Sequence, residues 1–177
     1  TGKWPTWYPD CLPPTIDIGP GCPTGVMSGL GSNFPADYQH AIYAFDWTYG
    51  TIYAIHLAPE GSSYTAVKEE FVTGVPLNVT DGVIGKDGNM YFAVGGRGTQ
   101  SALYRVTYQG QASKERRFPD KKINRTLRMQ RRELEQYHGR QVAGSISRIW
   151  SKLGHEDRFI RYAARVALEH QPVSDWA

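Results

Sequence analysis

Two stretches of this chain repeat one β pattern about 50 residues apart, and a period of that length fits few folds other than stacked sheet repeats. In the first unit PTGVMSG (23–29) is followed by HAIYAFDWTYG (40–50), GTIYAIHLAPEG (50–61) and SYTAVKEEFVTG (63–74). In the second, VTDGVIGKDG (79–88) leads to NMYFAVGG (89–96) and SALYRVTYQG (101–110), where the series stops. Each piece is a short run of β-forming residues closed by a turn signal. Superposition pairs Gly25 with Gly82, Tyr43 with Tyr91 and Tyr53 with Tyr104, at offsets of 57, 48 and 51. The predicted architecture is two four-stranded antiparallel blades of a β-propeller, the last one incomplete, with a pair of β-sandwich hairpins as the alternative. Asp87-Gly88 supplies the turn of a tight hairpin in the second unit. Strand 101–108 is predicted to expose an edge unless residues 12–18 or a partner chain cover it.

From about Ile123 the apolar period changes from two to 3.6, so the fold class is mixed, β then α. Asn124 is the predicted cap of a helix running to His138, with Gly139 beyond it. Ile146, Ile149, Trp150 and Leu153 form one apolar stripe. Asp157 caps a third helix that turns Ile160, Ala163, Ala164 and Ala167 inward. Composition changes at the same place. Residues 1–112 hold five basic against nine acidic side chains, and residues 113–177 fifteen against eight. The predicted domains are therefore a β part over 1–112, a basic linker over 113–122 and a helical segment over 123–177. The run KERRFPDKKINRTLRMQRR (114–132) admits nucleic acid or anionic lipid. Its single aromatic, Phe118, favours instead a solvated linker and helix face docked on the acidic β part.

No apolar run is long enough to cross a bilayer, and the first residues lack a leader pattern. Cys11 and Cys22 could close a short disulfide loop or remain free thiols. Neither a C-x-x-C-H haem motif nor a His/Cys group with zinc spacing occurs, so no metal site is expected.

The segment LGHEDRFIRYAARVAL (153–168) resembles the second half of a HEAT repeat through Asp157, Ile160, Arg161, Ala163, Ala164 and Leu168. The stretch from about Trp4 to Gly110 resembles the closing blades of bacterial glucose/sorbosone dehydrogenase-like, quinoprotein-type propellers. In the subgroup it most resembles, HEAT repeats and often a c-type cytochrome domain follow the propeller. That resemblance implies a periplasmic or secreted protein of sugar or alcohol oxidation that passes electrons to haem. This chain would be a fragment of it, inactive alone, with the remaining blades, further HEAT repeats and the cytochrome as its partners. A non-catalytic scaffold that binds protein or polysaccharide is the alternative. The resemblance also implies basic side chains that hold pyrroloquinoline quinone beside calcium. The corresponding positions here, Thr48, Asn78 and Thr80, are neutral, which puts that cofactor in question.

Five residues are candidates for contact with substrate or cofactor. Asp46, Trp47 and Tyr49 share a turn and could bind a sugar by hydrogen bonding and stacking, or could simply cap and pack that turn. Asp81 stands on a predicted inner strand as a ligand group or a structural acceptor. Arg97, within Gly95-Gly96-Arg97-Gly98, could grip an anion with the help of backbone amides. His40 and His56 read as packed or surface residues, and no catalytic group is identified.

Overall fold

A computed structural model describes residues 11–177; residues 1–10, which include the start of the Trp4–Gly110 resemblance, lie outside the described part. The chain is β then α, and it divides into two compact units. One comprises residues 16–58 and 66–119 and holds the sheets. The other comprises residues 120–177 with 59–65 and, of the described leader, residues 11–15. The division at Asp120 falls inside the basic linker predicted from charge. Residues 11–15 and the 59–65 hairpin tip group with the helices, a tertiary association that composition does not encode.

The first sheet has the order β1-β2-β3-β4, built from Pro23–Ser28, Ile42–Asp46, Thr51–Glu60 and Ser63–Thr73. The second has the order β5-β6-β7, from Val79–Ile84, Met90–Gly96 and Thr99–Val106. The described pairings are antiparallel, and the registers of the two sheets correspond. Tyr43 faces Met27 as Tyr91 faces Val83, and Tyr53 lies opposite Ala44 as Tyr104 lies opposite Phe92. Both first strands carry an irregularity at the same place, between Pro23 and Gly25 and between Val79 and Asp81. The tyrosine pairs of the sequence superposition thus hold, whereas Gly25 corresponds in register to Asp81 and not to Gly82.

Both sheets contribute to one core, in which Tyr43, Phe45 and Ile52 of the first meet Val79, Met90 and Phe92 of the second. Phe45 explains the glycines. A Cβ on Gly25 would lie 2.9 Å from its ring, and one on Gly82 2.7 Å from its Cζ, so the buried ring occupies space that two missing side chains leave. Thr24 Oγ1 donates to Val79 O at 2.8 Å, and Asn33 binds Gly88 O through its amide N–H and Asp87 O through Nδ2, each at 2.8 Å. A short helix that sequence periodicity does not reveal, α1 (Ala36–Gln39), begins after Pro35. The basic segment is ordered against it: Ala36 N–H donates to Ser113 O, and Arg117 binds Asp37 through its own N–H and its guanidinium. At the β5–β6 turn Asp87 accepts from Asn89 and Tyr91, which lowers its carboxyl pKa to about 2.

In the other unit, α2 (Lys122–Glu135), α3 (Ile146–Trp150) and α4 (Arg158–Glu169) enclose Leu134, Ile149, Ile160, Ala163, Ala164 and Ala167. The three alanines give α4 a low, smooth face suited to close helix packing. Asp157 caps α4 as predicted. Asn124 does not cap α2. The helix starts earlier, at Lys122, and Asn124 Nδ2 donates to Pro59 O at 2.9 Å. Trp150 is 54% exposed, because α3 is only one turn long and Ile149 alone of its stripe is fully enclosed. Cys11 and Cys22 are both free. No helix among the described residues is long and apolar enough to cross a membrane.

Candidate functional site

The β2–β3 turn is organised by Asp46. Its carboxylate is 2% exposed, and Oδ1 accepts from the amides of Cys22 at 3.2 Å, Thr48 at 2.8 Å and Tyr49 at 3.3 Å. A carboxylate so engaged closes an Asx turn, the capping role that is the alternative to ligand contact. Gly21 makes this possible, since a Cβ there would lie 1.9 Å from Asp46 Oδ2.

Trp47, the next residue, ties the turn to the second sheet. Its indole N–H donates to Gly95 O at 2.8 Å, and its carbonyl accepts from Asn78 Nδ2 at 3.0 Å. The guanidinium of Arg97 lies 5.3 Å from the centre of the ring, within cation–π range. Arg97 reaches it from the left-handed tip of the β6–β7 hairpin, where its φ is +49° between Gly96 and Gly98 at +102° and +81°. A non-glycine residue in that region costs about 1 kcal/mol, and the indole contact helps offset it.

The structure therefore brings Trp47 and Arg97 together and leaves Tyr49 exposed on the same turn. Asp81 stands elsewhere, beside Gly25, and accepts from the N–H of Gly82 at 2.8 Å. A cleft of about 330 Å³ is lined by Asn78, Gly95, Thr99, Gln100, Ala102 and Tyr104. Tyr104 stacks on Phe92 with ring centres 5.2 Å apart, so its other surface forms an aromatic wall. Sequence reasoning passed over Gln100 and Tyr104 as site residues; the signal available was the pairing of Tyr104 with Tyr53 in the repeat. An amide, backbone carbonyls and an aromatic wall suit a neutral polyhydroxylated ligand, and Arg97 places a positive charge beside the indole.

Thr80 Oγ1 donates to Ala93 O at 3.0 Å, and Asn78 is committed to Trp47 O. With the exposed Thr48 they are neutral, so the carboxylates of a quinone would have to be held by side chains other than these three. His56 is buried, with Tyr38 edge-on at 5.3 Å and Glu69 Oε1 at 3.5 Å from Nε2. The Tyr38 hydroxyl is held above its usual pKa by its hydrogen bond to Glu69. His40 and His56 share a crevice of about 10 Å³, room for roughly one water. Among the described residues no three His, Cys, Asp or Glu side chains are grouped to hold a metal ion.

Comparison with protein-family models, with curated proteins and with solved structures finds no match.

Proposed function

We propose that residues 23–106 are two neighbouring blades of a β-propeller of the glucose/sorbosone dehydrogenase type, and that the helices begin a HEAT-like stack. The observation that carries this reading is the shared register: two sheets with the same strand order, the same irregularity in their first strands and the same tyrosine pairs, joined through one core. In that setting the chain serves a periplasmic sugar- or alcohol-oxidising protein that passes electrons to a c-type cytochrome. Its own contribution is binding. The Trp47–Arg97 turn and the Tyr104 cleft would receive a polyol, while Asp46 holds its turn and Asp81 accepts from the Gly82 N–H at the irregularity of β5. A second reading, a scaffold without redox chemistry, is favoured by the same commitment of Asp46, Asn78 and Thr80 to the backbone.

The test uses the full-length protein that contains this chain. Incubation with pyrroloquinoline quinone and calcium, followed by dye reduction with sugars and alcohols, is expected to show sugar-dependent reduction in which Tyr104→Ala raises KM and leaves kcat nearly unchanged. Absence of reduction with every sugar and alcohol would sink the oxidoreductase reading and leave the scaffold.

A further inference from the structure

Helix α2 carries Arg125, Arg128 and Arg132 at i, i+3 and i+7, a spacing that aligns them along one face. They line a cleft of about 390 Å³ together with Met129, Tyr64 and Asp120, all within the helical unit. Arg125 and Arg132 are exposed, as a solvated helix face would be. Arg128 is not: it is 6% exposed. Its guanidinium lies 4.9 Å from the centre of the Tyr64 ring, and Nη2 is paired with Asp120 Oδ2. Its Nη1 and the second carboxylate oxygen of Asp120 are enclosed and have no hydrogen-bond partner.

An enclosed arginine with an unsatisfied nitrogen costs about 1–3 kcal/mol, so a helix needing only a solvated charge would not build this arrangement. The floor of the cleft is an enclosed guanidinium, covered on one side by an aromatic ring and paired with a carboxylate. The exposed guanidiniums of Arg125 and Arg132 stand on either side along the helix, and Arg125 Nη1 donates to Asp120 O at 3.0 Å. Asp120 neutralises one of the three charges, which leaves an excess near two positive charges facing one opening. A group with two negative charges and several acceptor oxygens matches that excess, and guanidinium forks match its geometry.

We propose that this cleft binds a phosphorylated ligand, with Arg125 and Arg132 clasping the phosphate above Arg128. The chemistry is that of a phosphate monoester or diphosphate, whether soluble or on a lipid headgroup. A nucleic-acid strand fits poorly, since the one ring at the site, Tyr64, already has a face covered by Arg128 and offers bases no stacking platform. This reading is independent of the propeller assignment.

The test is calorimetric titration of the whole 177-residue chain with pyrophosphate and with inorganic phosphate at fixed ionic strength, with chloride as the reference anion. Saturable binding is expected, weakened roughly tenfold by Arg125→Ala and by Arg132→Ala, each a loss of about 1.4 kcal/mol. Both side chains are exposed, so unchanged helical circular dichroism would confirm folding, and Arg148→Ala, on α3, should bind as the parent does. Vesicles containing phosphatidic acid distinguish the sources. Vesicle association displaced by pyrophosphate supports the site and assigns a headgroup, and pyrophosphate binding without vesicle association supports it and assigns a soluble ester. Either no saturable binding of phosphate or pyrophosphate, or full binding by both arginine variants, would overturn the proposal, as would vesicle association indifferent to pyrophosphate.

Discussion

Asp157 joins the first turn of α4 to Ser62, 95 positions away in sequence, through both oxygens of one carboxylate. Oδ2 accepts from Ser62 N–H at 2.7 Å and Oδ1 from Ser62 Oγ at 2.6 Å. Oδ1 also accepts from the amides of Phe159 at 2.9 Å and Ile160 at 3.3 Å. One side chain thus caps a helix and pins the 59–65 hairpin tip to it, which is why that tip belongs to the helical unit.

Removal of this carboxylate should cost more than loss of a cap alone. Asp157→Ala leaves helix amides and both Ser62 donors without acceptors, and a destabilisation of about 2–3 kcal/mol is expected from denaturant titration. Partial burial opposes ionisation of Asp157, but the hydrogen bonds from Ser62, Ile160 and Phe159 outweigh it and hold the pKa below the ordinary value. Because the folded pKa is the lower one, the stabilisation is fully present above the unfolded carboxylate pKa of about 3.9 and is lost as pH falls through the folded value. Asp157→Asn should show a flatter dependence of stability on pH below about 4 than the parent chain. Identical slopes would show that the carboxylate is not held as described.

The role of Asp46 separates binding from architecture. Its Oδ1 serves three amides, so Asp46→Ala should destabilise the sheet unit by about 2–3 kcal/mol, with Asp46→Asn in between. Thermal denaturation monitored through tryptophan fluorescence reads this directly. A variant of parental stability would mean that the turn does not need the carboxylate, and would return Asp46 to the ligand-binding candidates.

The repeat made the sheets legible. Strand runs separated by turn signals were sufficient for the seven described strands, because every pair of sheet neighbours except β1 and β2 is joined by a short local turn. The cap at Asp157 and the inward alanines of α4 were legible for a similar reason, since both are contained in one helix. What escaped were contacts made across distance. Asn124 reads as a cap within its own segment, yet its amide serves Pro59 O, 65 positions back. Arg128 reads as one more solvated cation until Tyr64 covers it. Asp46 keeps its meaning open in sequence because an acidic residue in a turn has the same composition whether its oxygens face backbone amides or solvent.

Phe45 and Gly82 offer a test of how the two sheets share a core. A Cβ at position 82 would meet the ring's Cζ at 2.7 Å and Tyr91 O at 3.1 Å, so neither neighbour can yield without moving the fully enclosed ring or the β6 backbone. Gly82→Ala should destabilise by about 1–3 kcal/mol by overpacking. Phe45→Leu in the same background is expected to recover part of that loss, which a double-mutant cycle measures as a coupling between the two sites. Strict additivity would place the ring away from Gly82.

The second sheet ends at β7, which pairs with β6 and, among the described residues, has no strand on its other side. Leu103, in the middle of β7, is 72% exposed. In an antiparallel edge strand alternate residues direct their N–H groups toward the neighbour and the others toward solvent. Amides of residues 100–106 should accordingly split into a protected and a fast-exchanging set, alternating along the chain, while those of β6 between its two partners are protected throughout. Hydrogen exchange of the 177-residue chain resolves the two patterns. Uniform protection along β7 would mean that a further segment or a second copy covers the edge. Such a result would replace the three-stranded second sheet with a four-stranded one like the first.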